Sequence, residues 1–172
     1  SVLQGNKQST IMPINSTETN KVQFENAIFL PEIVKILNEG HTVTLTLRGN
    51  SMRPFLEDCR DKALFVKPST IAVGDPVLAE IAPKHFVLHR IVAINGEAVT
   101  LLGDGNLSTE HCQKKDIVGA VIGFYRKGRT TLDRTNGWKW RCYSYVWIGL
   151  RPIRRYLLGI YRKIWIPLFG VI

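Results

Sequence analysis

The sequence predicts a mainly β protein: a barrel-like core with a helix on its N-terminal side and two helices at its C-terminal end. Three observations carry that reading. Short apolar runs alternate with turn signals between residues 42 and 125, at a spacing that leaves no room for intervening helices. Asn95-Gly96 separates two of these runs, and a tight primed hairpin turn needs the positive φ that this pair adopts readily. Outside that stretch, apolar residues recur at helical spacing instead.

The elements follow in order. Residues 1–23, rich in Ser, Thr, Asn and Gln, read as a flexible leader, and Ser1 to Asn20 lacks the apolar run of a secretory signal. A helix is expected to start near Phe29–Pro31, with Pro31 in its first turn and Gly40 past its end. Leu30, Ile33, Val34 and Leu37 give it one apolar face. In Thr42–Arg48, Val43, Leu45 and Leu47 alternate with polar residues, the pattern of a half-buried strand. That strand runs into the turn Gly49-Asn50-Ser51. Ala63–Val66, Pro76–Ile81, Phe86–Ile94, Ala98–Leu102 and Ile117–Tyr125 are further strands. Lys67-Pro68-Ser69, Gly74-Asp75-Pro76 and Gly103-Asp104-Gly105-Asn106 mark the turns between them. Trp138–Leu150 and Pro152–Trp165 are read as helices broken at Pro152. In the second, Ile153, Tyr156, Leu157, Ile160, Tyr161 and Ile164 form an apolar face, with Arg151, Arg154, Arg155, Arg162 and Lys163 on much of the remainder.

Composition bounds the function classes. A chain of 172 residues with 45% apolar content suits one globular domain and excludes wholesale disorder. Cys59, Cys112 and Cys142 stand far apart, without C-x-x-C spacing. This argues against a disulfide scaffold or a cysteine-rich zinc site and fits a reducing compartment. The net charge of +9 is unevenly spread. No acidic residue follows Asp133, while eight basic residues do, leaving 15 basic against 14 acidic in residues 1–133. No apolar run approaches the ~20 residues needed to span a bilayer. The expectation is a cytoplasmic protein, peripheral to a membrane if its tail binds one.

Individually, the candidate chemical groups are ordinary. Ser51 in a Gly-Asn-Ser turn reads as a turn residue unless a base and oxyanion donors stand beside it. His89 is the candidate base, since neutral imidazole can accept the serine proton near pH 7. Alone in the apolar strand Phe86–Val92, it reads as a histidine at the edge of the core. Asp104, in a Gly-rich turn, reads either as an Asx-turn former or as the acid that orients an imidazole. Glu110 is the other candidate acid.

Their order carries more than each alone. Gly49-Asn-Ser-Met-Arg-Pro54, Val73-Gly-Asp-Pro-Val77, Leu88-His-Arg-Ile91 and Leu102-Gly-Asp-Gly-Asn106 resemble the signal peptidase and LexA-type serine peptidase clan. The likeness covers Thr42 to Gly123, about half the chain. It implies a LexA- or signal peptidase-like β fold, a peptidase-like domain at 24–133 and a nucleophile at Ser51. His89-Arg90-Ile91 matches the histidine-base branch, the signal peptidases of the endoplasmic reticulum and archaeal type. No lysine falls at the position of the alternative lysine base. In that branch a G-D-N-N box or an acid just downstream completes the triad. Asp104 and Glu110 occupy those two places, and the choice stays open. Gly49 departs from the serine many signal peptidases carry there, removing a hydroxyl that supports the oxyanion. Glu110 is one methylene longer than the usual aspartate. Met52 and Pro54 are expected to shape the turn and cleft. No helix-turn-helix segment and no spanning anchor precede the serine, unlike LexA-type repressors and the usual signal peptidase.

The expectation is therefore a serine endopeptidase acting on an extended polypeptide through Ser51, His89 and Asp104 or Glu110, without metal or cofactor. The alternatives are a non-catalytic module of the same fold that captures extended peptides by strand addition and a membrane-surface adaptor. For the basic aromatic tail, residues 134–172, three readings compete. Its apolar face packs on the core or another subunit, residues 138–165 lie on an anionic membrane surface, or the charge binds nucleic acid. No nucleic-acid motif accompanies that charge, so a specific nucleic-acid partner is not expected. The sequence leaves the oligomeric state open.

Overall fold

A computed structural model of the chain describes residues 19–172. The expected leader therefore lies mostly outside the described residues. The first helix, α1 (Thr19–Asn38), starts well before Phe29 and carries Pro31 in its interior. This corrects the expected helix start. The polar character of residues 19–28 concealed good helix formers such as Lys21, Gln23, Glu25 and Ala27. At the other end the helix stops as expected, with Gly40 at φ +87°, a value glycine tolerates without a Cβ penalty.

Eight strands follow: β1 (Val43–Thr46), β2 (Lys62–Val66), β3 (Pro76–Ala82), β4 (His85–Asn95), β5 (Ala98–Leu102), β6 (Glu110–Gln113), β7 (Ile117–Tyr125) and β8 (Leu132–Arg134). All pair antiparallel, in the order β1-β2-β7-β3-β4-β5-β6. β8 adds to β7 beyond the segment that β3 occupies. The mainly β core with flanking helices is as expected, and barrel-like describes it only loosely. Among the described residues the sheet is open, ending at β1 and β6, which do not pair with each other. Alternating burial along a strand reports a covered face, and an open bent sheet satisfies it as well as a closed one. β6 and β8, only four and three residues long, escaped the sequence reading.

Each face of the sheet buries its own core. Ile33 and Leu37 of α1 pack with Leu47, Met52, Leu56, Phe65, Leu78 and Phe124 on one side. Val77, Ala79, Ile91, Val99, Leu101 and Ile117 cluster on the other. The three cysteines are unpaired.

The C-terminal segment joins the first core. In α2 (Trp138–Gly149) the Trp140 ring lies 4.7 Å from Phe55 and 5.2 Å from Phe124, centroid to centroid. A 3-10 turn over Arg151–Ile153 leads into α3 (Arg154–Ile160), a π turn over Tyr161–Trp165 and α4 (Ile166–Phe169). Pro167 sits in the first turn of α4, where its missing N–H is harmless, so the helix runs past the expected stop at Trp165. The side packed inward matches the expected apolar face only in part, at Tyr161 and the half-buried Leu157. Arg154, Leu158 and Tyr161 are buried, whereas Ile153, Tyr156, Ile160 and Ile164 are exposed.

Candidate active site

Ser51 lies on the loop between β1 and β2. Its base is closed by Leu47 N–H donating to Asp61 O and Cys59 N–H donating to Leu47 O, both at 2.9 Å. The buried Asp61 carboxylate stitches the interior: it accepts the N–H groups of Glu57 and Lys127 at 2.9 Å and both arms of Arg60 at 2.8 Å. Burial alone would raise its pKa, but the Arg60 guanidinium and the two backbone donors outweigh burial and hold it below the ordinary carboxylate value. Met52 and Leu56 sink into the core, so Met52 packs beneath the turn rather than lining a cleft. Ser51, between them and the surface, is half-buried. Gly49 takes φ +88° and donates to Asp58 Oδ1 at 2.8 Å. A side chain would be strained in that conformation, which accounts for glycine rather than serine at this position.

The loop Gly103–Asn106 presses against this turn. Gly105 N–H donates to Ser51 O at 2.7 Å. A Cβ on Gly103 would stand 2.5 Å from Ser51 O and 3.0 Å from His89 Cδ2, and one on Gly105 2.6 Å from Asn50 O. Only glycines allow the two loops and the imidazole to meet this closely.

Strand alternation then separates the two acids. Successive side chains of β4 point to opposite faces, so His89 and Arg90 turn away from each other. Val77 pairs with His89, Ile91 with Leu101, and Leu101 with Glu110. Cross-strand partners share a face, which puts Glu110 on the His89 side. Glu110 Oε2 lies 2.8 Å from His89 Nδ1, an ion-pair distance approached off the axis of a linear hydrogen bond. On the opposite face Asp104 is fully buried and takes Arg90 in a fork, Nε to Oδ1 at 2.8 Å and Nη2 to Oδ2 at 2.6 Å. Arg90 also donates to Gly74 O and Ser144 Oγ and lies over the Trp140 ring. Tyr143 OH reaches Asp104 Oδ2 at 3.3 Å, and Trp147 Nε1–H donates to Asp104 O at 3.2 Å. Of the two candidate acids, then, Glu110 stands behind the imidazole, and Asp104 belongs to a buried ion pair.

The imidazole is buried but not enclosed by apolar groups. Its Nε2 faces Asn106 Nδ2 at 3.4 Å. No hydrogen bond joins it to Ser51 Oγ among the described residues. Burial holds the His89 pKa below its ordinary value of 6.5, against the opposing pull of Glu110 and, more weakly, Asp104, with His85 adding to the lowering. Burial thus favours the neutral ring, the form a general base requires. A proton on Nδ1, towards Glu110, leaves the Nε2 lone pair as the acceptor.

Sequence reasoning missed Asn106 as a partner of His89 and Arg90 as the partner of Asp104. Both were visible only as letters in the Gly-Asp-Gly-Asn and His-Arg-Ile motifs. It also missed the tail's part in the site: beside Tyr143 and Trp147, Arg162 Nη2 donates to Gly105 O at 2.8 Å. A scan against protein-family models and a search of curated proteins both give no match.

Proposed function

We propose that the protein is a serine endopeptidase resembling the histidine-base signal peptidases, acting on polypeptides held in extended form. The observation that carries this reading is the setting of His89. Nδ1 faces the Glu110 carboxylate, while Nε2 faces Asn106 and Cδ2 abuts Gly103, in the loop that meets the Ser51 turn. In the proposed reaction Ser51 Oγ bonds to the scissile carbonyl carbon as His89 Nε2 takes the hydroxyl proton, and Glu110 stabilises the imidazolium. The Ser51 N–H, which has no acceptor among the described residues, is the oxyanion donor. Collapse breaks the C–N bond with the proton passing to the leaving amine, and water then hydrolyses the acyl-serine by the same proton path. Among the described residues the outer edge of β1 is unpaired, and its chain reaches Ser51 five residues later. It offers a main-chain ladder for an extended substrate.

The absence of a Ser51–His89 hydrogen bond, with Asn106 beside Nε2, favours a second reading: a non-catalytic module that captures extended peptides on the same edge. A fluorophosphonate probe separates the two. Under the enzyme reading wild type is acylated and Ser51→Ala is not, and His89→Ala is slowed by about 10²–10⁴-fold. Labelling that persists in Ser51→Ala, or an unlabelled wild type that cleaves no peptide of a diverse library, removes the enzyme reading.

A further inference from the structure

The segment from Arg151 to the end of α4 is apolar on more than the side it packs inward. Its buried positions include a guanidinium, Arg154, while a helical stripe of large apolar residues faces outward. Tyr156 is 70% exposed, Ile160 54%, Ile164 53% and Leu168 69%, at the four-residue spacing of one helix face. Trp165 and Phe169 lie beside that stripe with ring centroids 4.9 Å apart. Interleaved with it are the exposed cations Arg151, Arg155, Arg162 and Lys163, and no carboxylate side chain occurs after Asp133.

We infer that this face rests on an anionic lipid surface, lying in the interface plane rather than crossing it. No described helix is long and apolar enough to cross. The apolar stripe and the cations must be satisfied together, and this selects the occupant. A second copy of the same face would set cation against cation. Nucleic acid would neutralise the cations and leave the stripe in water. A layer of anionic headgroups over acyl chains meets both needs, with tryptophan and tyrosine at headgroup depth and long arginines reaching outward. The segment is tied to the body at the candidate active site: Arg162 binds Gly105 O, and Arg60 Nη1 donates to Ile172 O at 2.8 Å. Docking therefore brings the Ser51 loop to the lipid surface. The docking itself does not depend on the proposed peptidase activity.

The test is cosedimentation of the full chain with vesicles of phosphatidylcholine alone or mixed equally with phosphatidylglycerol. The mixed vesicles are expected to bind at least about tenfold more tightly. Two variants that remove different features, R151E/R155E/K163E and I160N/I164N, should each lose about tenfold or more, with unchanged circular dichroism and melting temperature. Leu168→Asn/Phe169→Asn provides a second apolar variant should I160N/I164N melt early. Ser51→Ala should bind as wild type. The inference is overturned by wild type that sediments with neither vesicle or equally with both. It is also overturned by anionic-vesicle binding that both apolar variants retain. A vesicle-free dimer that the apolar variants abolish, in place of lipid binding, assigns the face to self-association and overturns it too.

Discussion

Burial sets opposite demands on the neighbours His89 and Arg90. The imidazole meets burial by staying neutral, with its pKa held below 6.5. The guanidinium cannot, and its charge is matched by the Asp104 fork, which outweighs burial and raises its pKa. The two acids should therefore respond differently to removal of their charge. Asp104→Asn leaves a buried guanidinium uncompensated and should lower stability by about 3–5 kcal/mol, read by urea denaturation. Glu110→Gln, at a partly exposed carboxylate, should leave the urea midpoint nearly unchanged and slow acylation of Ser51 by about 10²-fold. Equal loss of stability in both variants would contradict the separation of roles.

The pH dependence follows from the same residue. Since the folded-state pKa of His89 lies below 6.5, its contribution to stability is complete above pH 6.5. It is lost as pH falls from there through the folded value, because the unfolded chain takes the proton first. The acidic limb of acylation should likewise lie below pH 6.5. Glu110 pulls the His89 pKa upward, so Glu110→Gln should move that limb to still lower pH. A limb displaced upward in the variant would remove Glu110 from the proposed triad.

At the scale of elements, the candidate site depends on the close approach of two loops. The β1–β2 loop is fastened by Asp61, and the Gly103–Asn106 loop meets it at distances that exclude a Cβ. Gly105→Ala must push against Asn50 O, a backbone atom with little room to yield, and should cost about 1–3 kcal/mol while lowering acylation of Ser51. Thermal melting and probe labelling of the same sample check both effects. An alanine variant as stable and as reactive as wild type would contradict the approach. Both loops were legible as motifs, because glycine and asparagine mark turns by their backbone freedom. Their contact was not, because a turn signal carries no information about which distant turn it will touch.

At the scale of the molecule, residues 134–172 are not an appendage. Trp140 shares a core with Phe55 and Phe124, and Tyr143 and Trp147 bond Asp104. Trp140→Ala should therefore destabilise the whole fold by about 3–5 kcal/mol, in one cooperative transition seen by melting. A sheet transition unaffected by the substitution would show the tail to be independent of the body. Helical period placed the segment after α2. It could not say which side of that segment would face inward, because three- and four-residue spacing marks an apolar stripe whether the stripe meets a core or something else.

Local order was the sequence's own decision: alternation along 42–125 set most of the strands, Asn95-Gly96 the hairpin, and the four motifs the candidate residues. These depend on backbone sterics and side-chain period, which act over a few residues. The open edges of the sheet, the pairing of Glu110 with His89 and of Asp104 with Arg90, and the outward apolar stripe were decided only by tertiary structure. Each depends on which face of one element meets another, and the register between strands settles that across tens of residues of chain.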